Sequence, residues 1–280
     1  KDLLRSAGIA LPPSSWQELV NIVPRLTRLD SLGNFQRSGV ALGTADNINR
    51  AADILSLMML QNGTPIFGKD RRGAEFDKDV RDANGDVYSP GVRALEFYTQ
   101  FAQPSKTIYT WNARNNNSID AFASGQAAMI FSYSYLAETL REKAPFLNYG
   151  VARVPQLNGA NLRVNFANYW AEGVSKQSKN PQIAWQFLKF ITSREILPAY
   201  YEGVKQVSPR LDIIEDQIAD PEIGVFAENA LTAKSFYKPD NDAVENIFLQ
   251  MINDVVLRHI SADDAIGAGV QKVNLLLRNL

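Results

Sequence analysis

The chain has 280 residues, 45% of them apolar and 21% charged. That suits a folded globular protein with one large domain or two lobes and argues against wholesale disorder. Lys and Arg number 29 against 30 Asp and Glu, a formal net charge of −1 without the basic surplus of a general nucleic-acid binder.

There is no Cys, and His259 is the one histidine, so disulfides, thiolate zinc sites, cysteine nucleophiles and multi-histidine sites within the chain are excluded. The longest dense apolar run, residues 54–60, falls far short of the roughly 20 residues of a membrane span. No signal peptide is visible, and the chain opens at Lys1 without Met, which reads as a processing or cloning boundary.

Pro12 and Pro13 stop whatever precedes them, and Ser15 with Glu18 has the spacing of a capping box. Trp16, Leu19, Val20 and Val23 follow at helical spacing. Residues 39–43 read as a short buried strand. A second helix is predicted over about 47–61, with Ala51, Ile54, Leu55 and Met58 as its stripe and Asn62-Gly63 at its end. Asn84-Gly85 reads as a hairpin turn, and Ser89-Pro90 opens a helix whose inner face carries Val92, Leu95, Tyr98 and Phe101.

Helices are expected over 118–123 and 135–143, and strands over 128–131 and 149–154. This alternation predicts an α/β fold with helices packed on a sheet. Asn158-Gly159 is a turn before an extended stretch, 162–175. Asn180-Pro181 then opens the most regular helix, where Ile183, Ala184, Phe187, Leu188 and Ile191 predict a half-buried face. Two helices close the chain, near 243–258 and 262–278, the last one started by Ser261 with Asp263 and Asp264. Gly267-Ala268-Gly269 falls inside that helical pattern and lacks the third Gly of a dinucleotide fingerprint.

Catalytic motifs are thin. Ser235 and Lys238 match a Ser-x-x-Lys pattern, but its companion motifs are absent and a plain loop explains it. His259 reads as a dipole partner at a helix end. Glu138, Glu142, Asp212 and Glu215 offer paired carboxylates for glycoside hydrolysis, with spacing that equally suits a solvated face. Asp82, Asn84 and Asp86 resemble a calcium loop, yet Val87 and Arg93 stand where an EF-hand needs Gly and Glu, so a surface turn is expected. The basic cluster of residues 69–72 reads as a solvated loop.

A different inventory stands out. Aromatic residues adjoin amides and hydroxyls at Trp111-Asn112, Ser132-Tyr133-Ser134-Tyr135, Asn168-Tyr169-Trp170 and Phe236-Tyr237. Flat rings suit the C–H face of a sugar, and amides suit its hydroxyls, which must be paired when buried.

The order of short motifs resembles the extracellular solute-binding proteins of ABC importers, the large family that includes maltose-binding protein. The resemblance is carried by residues 1–4, 7–9 and 12–19, then by 60–63 and 121–129. Residues 149–155, 173–180 and 184–193 complete it. It implies a periplasmic-binding-protein-like fold of type II, with helices on a mixed or parallel sheet. The chain would be the second lobe, with 169–212 returning to a first lobe that would precede Lys1; residues 1–168 and 213–280 would form the second lobe itself.

By motif position, the resemblance points to Ser132, Tyr133 and Tyr135, to Tyr169 and Trp170 where the chain crosses back, and to Asn47 and Asn49 as ligand contacts. Trp111 and Tyr237 join them on composition. The function implied is reversible binding of a sugar or oligosaccharide between two lobes and delivery to a membrane permease, outside the cytoplasm of a prokaryote. No catalysis, cofactor, metal or nucleic acid is expected, and the protein is expected to be a monomer. The alternative is a carbohydrate-active enzyme using paired carboxylates in the same cleft.

Overall fold

The computed structural model describes residues 1–278 apart from 71, 83 and 161. Arg71, part of the predicted basic cluster, therefore lies outside the described residues. The first half carries α1 (Asp2–Ser6), α2 (Trp16–Leu26), β1 (Arg28–Leu29), β2 (Phe35–Arg37), α3 (Ala51–Gln61), β3 (Val80–Arg81), β4 (Val87–Tyr88), α4 (Pro90–Gln100) and α5 (Ser118–Ala123). The second carries α6 (Leu136–Lys143), β5 (Asn165–Phe166), α7 (Pro181–Ile191), α8 (Leu197–Val204), α9 (Leu211–Gln217), α10 (Gly224–Ala230), β6 (Ala233–Lys234), α11 (Asn241–Val256) and α12 (Ala262–Arg278).

The helix starts follow from their caps. Ser15 Oγ accepts the Glu18 N–H at 3.2 Å, while the Glu18 carboxylate reaches one residue further back than the capping box predicts, taking the Ser14 N–H at 2.7 Å. Asn117 caps α5 through the Ile119 N–H, Asp240 caps α11 through the Ala243 N–H, and Ser261 accepts the Asp264 N–H.

The core lies where α3, α4, α11 and α12 pack together. Every residue of α3 from Ala51 to Met59 is buried, so its apolar character runs round the helix instead of forming the single stripe expected. Leu95, Tyr98 and Phe101 of the α4 region are fully buried, as their spacing predicts, beside Trp111, Phe76 and Phe248. Gly269 has a packing role: a Cβ there would stand 2.3 Å from Met251 Sδ, so its absence lets α12 cross α11 closely.

The chain is mixed α/β, rich in helix, but its sheets are small. The hairpin β3–β4 is antiparallel, with Gly85 at φ +87° in its turn and Asp82 Oδ1 accepting the Asn84 and Asp86 N–H groups. Strands β5 and β6 pair in parallel, the latter unforeseen from sequence.

The expected strands at 39–43 and 128–131 do run side by side, but as an interrupted ladder. Ser38 donates its N–H to Gln126 O and accepts the Ala128 N–H, a parallel bridge about Ala127, and the pairing then slips to Ala41 N–H with Met129 O. Between them the Gly39 N–H goes to the Thr110 and Thr27 hydroxyls, at 2.7 and 3.2 Å, and leaves the ladder. Residues 149–154 are largely exposed, and parallel pairing begins only beyond Pro155, between Gln156 and Ser15.

Helix α7 forms where predicted, but the expectation of a half-buried face is corrected. None of its residues is buried, and Ile183, Trp185, Phe187 and Phe190 are 51–65% exposed.

Candidate functional site

Asp53 sits on α3 among Ala52, Ile54 and Leu55 and is 5% exposed. An ionised carboxylate in such a place needs partners, because burying an unpaired charge is costly. Tyr133 supplies its hydroxyl to Oδ2 at 2.9 Å, and Asn168 Nδ2 reaches the same oxygen at 3.3 Å. Lys238 Nζ lies 4.0 Å from Oδ1, which has no hydrogen-bond donor among the described residues. The ammonium also stands 5.7 and 5.6 Å from the Phe166 and Phe236 ring centres, within cation–π reach. Burial pushes the Tyr133 phenol well above its ordinary value, and the Asp53 charge pushes it the same way, so it remains a hydrogen-bond donor.

Beside this buried group lies a more open one. The Tyr133 and Tyr135 rings are 6.4 Å apart. Tyr135 is exposed, and its hydroxyl donates to Asn49 Oδ1 at 3.1 Å. The neighbouring Tyr135 phenol holds the Arg50 guanidinium above its ordinary value against the opposing effect of burial. Arg50 precedes α3 in the left-handed region at φ 62°, a conformation that costs energy in a non-glycine residue. Arg50 Nε and Ser132 Oγ are buried without hydrogen-bond partners among the described residues.

The structure therefore brings together Asn49, Tyr133 and Tyr135 of the expected contacts. Ser132 adjoins them in the chain. Tyr169 and Trp170 follow Asn168, and Trp170 is 96% exposed. Two expected contacts are corrected. Trp111 is wholly buried and donates through Nε1 to Asn47 Oδ1 at 3.1 Å. Asn47 spends its amide on Asn112 O and Asn115 O and its oxygen on Thr44 and Trp111. Trp111 thus offers no face to a ligand, while the partly buried Asn47 ties loops together with its side chain.

Tyr237 lies apart, its ring 6.0 Å from Phe67, in a shallow hollow of about 370 Å³ that Leu60, Thr64 and Phe236 also line. Asp53, Arg50 and Lys238 were not foreseen. A carboxylate inside the apolar run 51–55 was the available signal for the first, since such a residue needs a reason to be buried.

Of the carboxylates weighed for hydrolysis, Asp212 is already engaged by two arginines, Arg210 at 2.9 Å and Arg194 at 3.2 Å, and these hold its carboxyl at about 2. It is ionised at neutral pH and cannot serve as a general acid there. Among the described residues, no group of three or more His, Cys, Asp or Glu could hold a metal ion, and no helix is long and apolar enough to cross a membrane.

A binding protein of Brucella abortus is 26% identical over 202 residues, 70% of this chain and 43% of that protein. The galactooligosaccharide-binding protein of Bacillus subtilis is 27% identical over 146 residues, 52% of this chain and 34% of that one. The chain thus spans less than half the length of these relatives. The structure of the sugar-binding protein MalE from Xanthomonas citri superposes with a TM-score of 0.75 at 17% identity, covering 100% of this chain and 67% of that one, which shows a shared fold of the type II periplasmic-binding class. The model of the bacterial extracellular solute-binding protein family matches residues 1–225. The chain belongs to the bacterial extracellular solute-binding proteins.

Proposed function

We infer that the chain belongs to the solute-binding subunit of an ABC importer, acting outside the cytoplasm by binding a sugar or oligosaccharide reversibly and handing it to a membrane permease. The observation that carries this reading is the group of Tyr133, Tyr135, Asn49 and Arg50, where the exposed Tyr135 ring lies beside amide and guanidinium groups and over the more buried Tyr133. Tyr135 offers a flat face to sugar C–H groups, and its neighbours offer hydroxyl partners. Tyr169 and Trp170 would supply further stacking surface from the exposed stretch after Asn168.

Segment 169–212 is read as the part that packs on a further lobe. The exposure of the α7 apolar residues supports this, because such a face is stable only when something covers it. The Bacillus subtilis relative is named for galactooligosaccharide, which favours a neutral oligosaccharide as the solute.

Isothermal titration with galactotriose, maltotriose and mannobiose, followed by chromatography of the sugars recovered, tests the reading. Saturable binding with the sugar returned intact is expected. Release of shorter sugars would replace transport by hydrolysis, and heat of dilution alone for every sugar would remove carbohydrate as the solute.

A further inference from the structure

We propose that Asp53 is the positioning residue of this binding surface: it fixes Tyr133 and Asn168, and through them the rings of Tyr135 and Tyr169–Trp170, without touching the solute. The inference rests on the reading of this face as a solute site.

Three observations converge on it. Asp53 is 5% exposed, so a solute cannot reach its carboxylate while the fold is intact. Its Oδ2 nevertheless accepts from two side chains on separate segments, the Tyr133 hydroxyl at 2.9 Å and the Asn168 amide at 3.3 Å, and its Oδ1 faces Lys238 on a third. Such bonds to an ionised acceptor are stronger than neutral ones, so a single carboxylate can set the relative placement of all three segments.

The position of Asn168 gives this its consequence. The Ala167 N–H bonds to Lys234 O at 2.9 Å, and among the described residues the next backbone N–H to donate a hydrogen bond is that of Gln177, to Ser175 Oγ at 3.2 Å. Asn168 is thus the last fastened residue before Tyr169 and Trp170, and Asp53 is what fastens its side chain. On the other side, Tyr133 stands two residues before Tyr135, whose ring lies 6.4 Å away. Pre-setting rings in this way lowers the ordering cost of binding, which is how a residue beyond contact distance changes affinity.

The test uses the whole 280-residue chain labelled with 3-fluorotyrosine, as wild type, Asp53→Asn and Asn168→Ala. Asn168 is exposed, so its variant separates positioning from folding should Asp53→Asn fold poorly. In fluorine NMR without any sugar, both variants are expected to shift or broaden the Tyr169 line, Asp53→Asn the Tyr133 line as well, and neither the line of core Tyr98. A Tyr169 line unchanged in both variants overturns the proposal.

Titration of the same proteins with galactotriose, maltotriose and mannobiose gives the second readout. At an unchanged melting temperature, affinity for whichever sugar the wild type binds is expected to fall at least about tenfold in each variant. Equal affinity in wild type and variants overturns the role of Asp53 and leaves the sugar reading standing. If the wild type binds none of the three sugars, that reading fails, and the NMR lines alone decide whether Asp53 positions the rings.

Discussion

The Tyr133 hydroxyl and the Asp53 carboxylate, 80 residues apart in the chain, meet at 2.9 Å beneath the surface that carries Tyr135. The bond joins a largely buried phenol to a buried carboxylate, and it is the shorter of the two side-chain hydrogen bonds that Asp53 Oδ2 accepts. Tyr133→Phe is therefore expected to lower stability by about 1.5–3 kcal/mol, the range for hydrogen bonds to charged groups. Urea unfolding monitored by circular dichroism measures it.

The pH dependence of this difference has a definite sign. Burial and Asp53 raise the phenol above its ordinary value in the folded protein, so its stabilising contribution is complete below about pH 10, the unfolded value. Above that, the unfolded phenol ionises first and the contribution is lost. Wild type and Tyr133→Phe are expected to converge as pH rises beyond about 10.

Trp170 separates binding from folding. At 96% exposure it adds nothing to the core, so Trp170→Ala should change stability by no more than about 0.5 kcal/mol. As a stacking anchor it should cost about 1–3 kcal/mol in affinity. Thermal melting, and isothermal titration with whichever of galactotriose, maltotriose and mannobiose the wild type binds, check the two halves. Unchanged affinity would remove Trp170 from the site.

Gly269 was legible in the sequence only as a small residue inside a helical pattern. The structure gives it a neighbour, Met251, across the α11–α12 crossing. Gly269→Val is expected to cost about 1–3 kcal/mol through overpacking. Gly269→Ala should cost less, because the Met251 side chain can swing aside and Ala is favoured over Gly in a helix by about 1 kcal/mol. Chemical denaturation of both variants gives the comparison.

What the sequence revealed and what it hid divide along physical lines. Local signals survived: Ser15 and Ser261 cap helices because their side chains act within three residues, and Asn84-Gly85 turns a hairpin for the same reason. The sheet was overestimated because alternation at 39–43 and 128–131 cannot reveal that two threonine hydroxyls take the Gly39 N–H. The site was half legible. Tyr133, Tyr135 and Asn49 were marked by chemistry and motif position. Trp111 and Asn47 shared that chemistry but satisfy each other in the core, and only tertiary structure distinguishes the two cases. Asp53 escaped because its partners come from 80 and 115 residues away.

The Arg210–Asp212–Arg194 group gives a titration test. Asp212 is exposed, and hydrogen bonding to Arg210, with Arg194 adding to it, brings its carboxyl to about 2. A depressed acid contributes above its unfolded value and loses that contribution as pH falls, here between about 4 and about 2. Carbon NMR of the Asp212 carboxyl should show a midpoint near 2, moving toward the ordinary value in Arg210→Ala. An unmoved midpoint would mean that Arg194 alone holds the charge.

The apolar face of α7 yields the last expectation. Ile183, Trp185, Phe187 and Phe190 lie in water in this chain, so replacing them removes no core contact. The triple variant Trp185→Ser, Phe187→Ser, Phe190→Ser should keep its melting temperature and associate less at high concentration, because an exposed patch of large apolar side chains promotes self-association. Light scattering across a concentration series measures the second effect. If a further lobe covers this face in a longer chain, the same three substitutions should instead lower stability there, by about 2–5 kcal/mol for each large side chain lost from a packed interface. A melting temperature insensitive to the variant in both chains would mean that this face packs on nothing within the protein.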